Sequence, residues 1–214
     1  MTLRRRPLLI APWLAAATAL QARPAQPAPG PSDAGRVIEL LRRGGVVVAF
    51  RHALAPGTFD PPGFQLGDCT TQRNLSDEGR EQARRIGAWF RQHRLQPAAV
   101  RSSPWCRCVD TAALAFGAER VERWSALGSP AQEQRADGGS RSDGTHPAYA
   151  QRLDALRQAL ARASATPQRF EAWVTHQFVL RDLAGESLDS GQALVLRHDA
   201  ERGARVEARL NLPA

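Results

Sequence analysis

The chain has 214 residues, of which 43% are hydrophobic and 23% charged, so it is long enough for one substantial domain and too apolar for general disorder. Its formal net charge is +8, and it contains arginine but no lysine. The arginines are scattered and do not alternate with aromatic residues in a patch, which argues against a nucleic-acid partner and is compatible with anionic substrates.

The first residues have the features of an export signal. Three arginines at positions 4–6 precede an apolar stretch over about residues 8–20, and small residues follow. We therefore predict a signal peptide over residues 1–22, removed from a periplasmic or secreted protein that keeps no stable membrane span. The paired arginines also resemble a twin-arginine signal, so the export route stays open.

The next segments predict a linker, a helix and a strand. Residues 23–31 are rich in Pro and Ala and are expected to link the signal to a single catalytic domain over residues 32–214. A helix is predicted over about residues 33–43, ended by a pair of glycines. Residues 46–50, "VVVAF", form a near-continuous apolar run, which is typical of a strand covered on both faces.

Helices and strands then alternate. Ser76 is expected to cap a helix whose apolar residues recur at helical spacing. "AAVRSS" predicts a second strand, Pro104 suits the first turn of a helix that runs to about Phe116, and "RVERW" predicts a third strand. Residues 125–146 form a long excursion without periodicity, a kind of segment that is often functional.

The remaining segments complete an α/β pattern. "PAYAQRLDALRQALARA" predicts an amphipathic helix, "FEAWVTH" a strand that ends in a histidine, and "QALVLR" and "ARVEARLNL" a pair of closing strands. This alternation predicts a three-layer α/β fold, in which a mostly parallel sheet is flanked by helices on both faces.

Three cysteines lie in the predicted mature chain. Export implies an oxidising compartment, so we expect one disulfide and one free thiol. Cys106 and Cys108 are too close in sequence to pair comfortably, and Cys69 is therefore expected to pair with one of the two.

Basic side chains follow two of the buried strands. Arg51 and His52 come directly after the first strand, and His176 follows "FEAWVT". The helix after "AAVRSS" carries Arg107 near its start. Because the carboxyl ends of parallel strands line one crevice, these four side chains are expected to meet there as an anion site.

Such a site suits phosphoryl transfer. Nearby arginines disfavour protonation of an imidazole, and a neutral imidazole is a competent nucleophile toward phosphorus. Arginines and a second histidine can stabilise the charge on the phosphoryl oxygens without a metal. A general acid is still needed to protonate the leaving oxygen.

Four motifs, in order, resemble the histidine phosphatase superfamily, the phosphoglycerate mutase-like group. They are "FRHA", "NLSDEGREQA", "SSPWCRCVDTA" and "WVTHQ", spread over most of the mature chain. The resemblance implies that His52 is the nucleophile that becomes phosphorylated and that His176 is the second histidine at the phosphoryl group. It also implies that Arg51 and Arg107 bind phosphate, with a phosphoglycerate mutase-like fold and neither cofactor nor metal.

The four motifs do not identify the residue that acts as general acid. By resemblance to mutase-like members it is expected in the excursion after the third strand, where Glu133 is the nearest candidate. Asp137 and Asp68 are alternatives, and some small members of the family work without a clear acid.

The sequence therefore predicts an exported, metal-independent phosphomonoesterase that works through a phosphohistidine on His52. The expected partner is a phosphorylated small molecule or an envelope phosphosugar. A likeness to exported bacterial members narrows this to lipopolysaccharide core heptose phosphate as a specific case. The alternative is a non-catalytic phosphate-binding or phosphosugar-binding protein of the same fold.

Overall fold

A computed structural model describes residues 33–130 and 147–212. The chain divides into two units, Met1–Gly30 and Pro31–Ala214, and all described residues belong to the second. The helices in the described part are α1 (Asp33–Arg43), α2 (Asp77–Gln92), α3 (Cys106–Phe116), α4 (Pro147–Ser164) and α5 (Gln177–Ala184). The strands are β1 (Val46–Arg51), β2 (Ala99–Ser102), β3 (Val121–Arg123), β4 (Phe170–Thr175), β5 (Ala193–Arg197) and β6 (Arg205–Leu210).

The six strands form one sheet in the order β3-β2-β4-β1-β5-β6. β1, β2, β3 and β4 are mutually parallel, β5 is antiparallel to β1, and β6 is antiparallel to β5. β5 is therefore the one strand of this sheet that opposes the other five, so the prediction of a mostly parallel sheet is confirmed.

The sheet has an apolar core on each face. Alternate residues of β1 point to opposite sides, as a strand period of two requires. Val46, Val48 and Phe50 pack with the apolar sides of α1, α2 and α3, whereas Val47 and Ala49 pack with those of α4 and α5. The three-layer α/β architecture is confirmed, and burial on both faces explains why β1 reads as a continuous apolar run.

The register of β1 and β4 sets the position of the site. These two central strands are paired so that Arg51 lies opposite Thr175, and the backbone N–H of His52 donates to the carbonyl of Thr175 at 3.0 Å. His52 and His176 therefore leave the sheet side by side, as the two strand endings had suggested.

Two helix assignments differ from the expectations. α3 begins at Cys106 because Trp105 takes the extended N-cap conformation, so Pro104 lies ahead of the helix. α5 was not predicted, because it has only eight residues and its N-cap, His176, makes no capping hydrogen bond through its side chain. Its buried Leu180 and Leu183, with Gly185 at a φ of 74° after the last turn, are the signals that could have indicated it.

Candidate active site

A pocket of about 170 Å³ opens at the carboxyl ends of β1 and β4. Its polar lining includes two histidines and three arginines, namely His52, His176, Arg51, Arg73 and Arg107. The structure thus brings together the four basic residues that the sequence placed at one edge of the sheet, and it adds Arg73.

His52 is buried and held as a neutral imidazole. Burial, followed by the charge of Arg107, lowers its pKa to about 3. The Nδ1 atom lies 2.8 Å from the carbonyl oxygen of Ala53, and Arg107 Nε donates to Nε2 at 3.3 Å. A carbonyl can only accept, so Nδ1 carries the proton and the lone pair of Nε2 faces Arg107.

The segment after His52 is fixed to the neighbouring helices. The backbone N–H of Ala53 donates to Thr111 Oγ1 of α3 at 3.0 Å, and that of Leu54 donates to Gln82 Oε1 of α2 at 3.0 Å. These bonds hold the backbone beside the imidazole rigidly, which is what a positioned nucleophile needs.

His176 faces the same guanidinium from the other side. Its Nδ1 lies 3.5 Å from Arg107 Nη2, and its Nε2 lies 2.8 Å from Ser103 Oγ. The two imidazole rings meet edge to face, with centroids 5.6 Å apart. Burial, then the charge of Arg107, holds the pKa of His176 well below its usual range, so this ring is also neutral.

Cys108 lies beneath His176 as a protonated thiol. Its Sγ is 3.5 Å from His176 Nε2 and 3.6 Å from the carbonyl oxygen of Thr175. Burial raises the pKa of this thiol to about 12, so it is not a nucleophile at ordinary pH.

Arg107 is the centre of the pocket and is almost completely buried. Its Nη1 donates to Asp60 Oδ1 at 2.8 Å, while Nε and Nη2 face the two histidines. Asp60 Oδ2 also accepts a hydrogen bond from Trp105 Nε1 at 3.2 Å. This carboxylate fixes the guanidinium so that two of its nitrogens point toward the imidazoles.

Arg51 and Arg73 also line the pocket, and each has one buried nitrogen without a hydrogen-bond partner in the part of the chain that the structure describes. Arg51 Nη1 donates to the carbonyl oxygen of Leu188 at 2.7 Å, and Arg73 Nη1 donates to that of Ala55. The Nε atoms of both side chains are buried, and neither has a hydrogen-bond partner among the described residues. A buried donor without an acceptor costs free energy, and the positive charge of both guanidinium groups at the pocket suits an anion.

Aromatic side chains line other parts of the pocket. Phe64 packs against Trp105 with ring centroids 6.1 Å apart, and Trp105 contacts His176 edge to face. Phe59, which is 54% exposed, and Phe178 complete this lining. The pocket therefore combines cationic groups for an anion with apolar surface for the group attached to it.

None of the three expected acids lies among the described residues that line the pocket. Glu133 and Asp137 lie outside the described residues. Asp68 is fully exposed, does not line the pocket and accepts hydrogen bonds from the hydroxyl and backbone N–H of Thr70, which lower its pKa. Among the described residues that line the pocket, the acidic one is Asp60, which was not an expected acid.

Sequence reasoning missed Asp60, Arg73 and Ser103. The first two lie in the irregular segment between β1 and α2, which has no periodicity to indicate a direction for any side chain. Ser103 follows β2 directly, and this was the available signal, since strand ends supply the other groups of the site. Arg101 lies away from the pocket and pairs with Glu122 and Glu171.

A disulfide joins Cys69 to Cys106, and Cys108 is free and buried. Of the two predicted pairings, the structure contains Cys69–Cys106. The bond ties the segment that carries Asp60 and Arg73 to the start of α3. Gln72 Oε1 strengthens the same junction by accepting a hydrogen bond from the backbone N–H of Cys106 at 3.0 Å.

Titration of the denatured, unreduced protein should find one free thiol per chain, because Cys108 alone is unpaired. Replacing both Cys69 and Cys106 with serine should lower the free energy of unfolding by about 2–4 kcal/mol, the usual value for a bridge that closes a loop of this size. Cys108→Ser is the control for loss of a thiol without loss of the bridge. Three free thiols in the wild-type protein would contradict the pairing.

Stability should fall as the pH falls from about 6.5 toward about 3. In this window the unfolded chain protonates His52 and His176, whereas the folded chain keeps both neutral because their pKa values are lowered. One such group contributes a slope of up to about 1.4 kcal/mol per pH unit. Urea denaturation at several pH values should show a shallower slope in His52→Asn, but the wild-type slope in His198→Asn, which changes an exposed histidine.

Comparison with known proteins gives a likeness to one family over part of the chain, and a shared fold. The model of the histidine phosphatase superfamily (branch 1) matches residues 67–129, from the segment before α2 to the turn after β3. No curated protein matches the sequence.

Solved structures of phosphatases share the fold at low sequence identity. A putative alpha-ribazole-5'-P phosphatase from Escherichia coli is 18% identical, with a TM-score of 0.53 over 79% of this chain and 97% of that one. A mycobacterial glucosyl-3-phosphoglycerate phosphatase is 19% identical, with a TM-score of 0.53 over 78% of this chain and 99% of that one. The protein histidine phosphatase SixA, complexed with tungstate, is 15% identical, with a TM-score of 0.50 over 78% and 96%.

The three-layer sheet described above is the phosphoglycerate mutase-like α/β fold. Over residues 67–129 the chain is similar to the histidine phosphatase superfamily (branch 1), and two of the four motifs lie in that range. This likeness supports phosphatase activity in broad terms.

Proposed function

We propose that the chain is a metal-independent phosphomonoesterase that works through a phosphohistidine on His52. The observation that carries the proposal is the state of this side chain. His52 is buried and neutral, and its Nε2 lone pair faces a pocket that presents three guanidinium groups. A nucleophile and the charges that stabilise a phosphoryl group thus lie side by side.

The proposed reaction has two displacements. In the first, Nε2 of His52 attacks phosphorus, the N–P bond forms, and the P–O bond to the leaving alcohol breaks as that oxygen takes up a proton. In the second, water attacks phosphorus and gives a proton to the carboxylate that the first step left deprotonated, the N–P bond breaks, and inorganic phosphate forms. Arg51, Arg107 and His176 hold the phosphoryl oxygens through both steps.

The proton for the leaving oxygen is assigned to a carboxyl group. Glu133 remains the proposed donor, with Asp137 as its alternative. Asp68 does not fit this role, because it is exposed away from the pocket and its pKa is lowered. Asp60 holds Arg107 by accepting its N–H, so we assign it to positioning and not to proton donation.

We also propose that the protein is exported and that its substrate is an envelope phosphosugar. The predicted signal peptide supports a periplasmic or secreted location, and in the described residues no helix has the length and apolarity to cross a membrane. The aromatic lining from Phe59, Phe64 and Phe178 would pack against the apolar face of a sugar ring. Lipopolysaccharide core heptose phosphate is the specific case of this class.

Hydrolysis of para-nitrophenyl phosphate tests the proposal, because its good leaving group needs little help from an acid. The purified protein should hydrolyse it at the same rate with and without EDTA. A panel of phosphosugars and other phosphometabolites, scored by phosphate release, should then identify the natural class. A folded wild-type protein that binds phosphate but is inactive from mildly acidic to neutral pH would favour the non-catalytic binding protein instead.

A further inference from the structure

We propose that Arg73 is a specificity-determining residue that matches the pocket to the dianion of a phosphate monoester. This proposal rests on the proposed phosphate site but not on turnover. Arg73 is not part of any of the four motifs and lies just before the helix α2 that the second motif opens.

The backbone of Arg73 is fixed to the centre of the pocket. Its N–H donates to Asp60 Oδ1 at 3.0 Å, and the same oxygen accepts Nη1 of Arg107 at 2.8 Å. Arg107 Nη1 also reaches the carbonyl oxygen of Arg73 at 3.4 Å. Asp60 thus joins the backbone of one arginine to the side chain of the other.

One nitrogen of the Arg73 guanidinium has a hydrogen-bond partner in the described part of the protein, and another has none there. Nη1 donates to the carbonyl oxygen of Ala55, while the buried Nε has no partner among the described residues. Burial, followed by the charge of Arg107, lowers the pKa of Arg73 to about 10, which still leaves it protonated at neutral pH. A fixed, charged group with an unused donor is suited to an oxyanion.

The charge of the lining gives the specificity. Arg51, Arg73 and Arg107 carry three positive charges and Asp60 one negative charge, while both histidines are neutral. The described lining therefore carries two net positive charges, equal and opposite to a monoester dianion. Without Arg73 the net charge of the described lining would be one positive charge, and this would match a monoanion instead of a dianion.

Inorganic phosphate is the probe, because it changes from monoanion to dianion between about pH 5 and about pH 8 and is not consumed. Its dissociation constant is measured by calorimetry across this range for wild type, Arg73→Gln and Arg73→Lys. Arg91→Gln, which removes an exposed arginine of α2, is the matched control.

We expect the affinity of wild type and Arg91→Gln to rise about 10-fold or more with pH, and that of Arg73→Gln to rise less than about 3-fold. Arg73→Lys should keep the rise but bind about 5-fold more weakly, because an ammonium lacks the planar fork. A folded Arg73→Gln with the full rise would overturn the proposal. If Arg73→Gln does not fold, Arg73→Met is measured in its place, and a full rise in that variant would overturn the proposal.

The outcome separates this proposal from the proposed function. Phosphate binding is measured at equilibrium, so an inactive wild-type protein with the expected pH-dependent affinity would support the role of Arg73 and contradict the phosphatase. Active wild-type protein with unchanged binding in Arg73→Gln would do the reverse.

Discussion

Replacing His52 with alanine should abolish hydrolysis of phosphate esters, with kcat falling by about 10⁴-fold or more. Among the described residues at the pocket none can take its place, because both ring nitrogens of His176 have contacts, to Ser103 and Arg107, and Cys108 is a protonated thiol. Rates are measured with para-nitrophenyl phosphate, and His198→Ala, which changes an exposed histidine, should match wild type.

The same variant also tests the intermediate. Wild-type protein quenched with alkali during turnover should carry a phosphoryl group that is stable to base and lost in acid, as expected for phosphohistidine. His52→Ala should carry none but should still bind inorganic phosphate, because the three arginines remain. Retention of more than about one part in a hundred of the wild-type rate by His52→Ala would exclude a phosphohistidine at this position.

Replacing Arg107 with alanine should have two separate effects. The rate should fall by about 10³-fold, because this guanidinium is the group placed to bind the phosphoryl oxygens between the two imidazoles. The free energy of unfolding should fall by about 3–5 kcal/mol, because the buried carboxylate of Asp60 loses its ion pair. Enzyme assays and urea denaturation measure the two effects.

A second substitution separates catalysis from stability. Adding Asp60→Asn to Arg107→Ala removes the buried negative charge and should restore most of the lost stability. It should restore none of the rate, since the phosphoryl group still lacks its central guanidinium. Recovery of activity in the double variant would show that Arg107 acts only by neutralising Asp60.

Most regular elements of this protein, though not α5, were predictable, and with them the four basic residues Arg51, His52, Arg107 and His176 of the site. The strand at residues 46–50 could be predicted because burial on both faces leaves only apolar residues. Arg51 and His52 follow at its end. The Ser76 cap, which accepts the backbone N–H of Gly79 at 3.1 Å, was likewise a local signal. Parallel pairing of β1 with β4 then forces His176 next to His52.

Asp60 and Arg73 were not predictable in the same way. The segment between β1 and α2 is rich in Gly, Pro and Asp, which indicates turns but not the direction of a side chain. Its course is determined by contacts that are distant in sequence, namely the disulfide to Cys106 and the ion pair to Arg107. Local patterns carry no information on such contacts.

The pairing of β1 with β4 also couples ligand binding to the folding of the whole domain. The two histidines come from strands that are far apart in sequence, and contacts of this kind form late and slowly when a chain folds. A partly folded chain that has not joined these strands therefore has no phosphate site. Inorganic phosphate should bind only the native state and act as a folding ligand, raising Tm in proportion to the logarithm of its concentration.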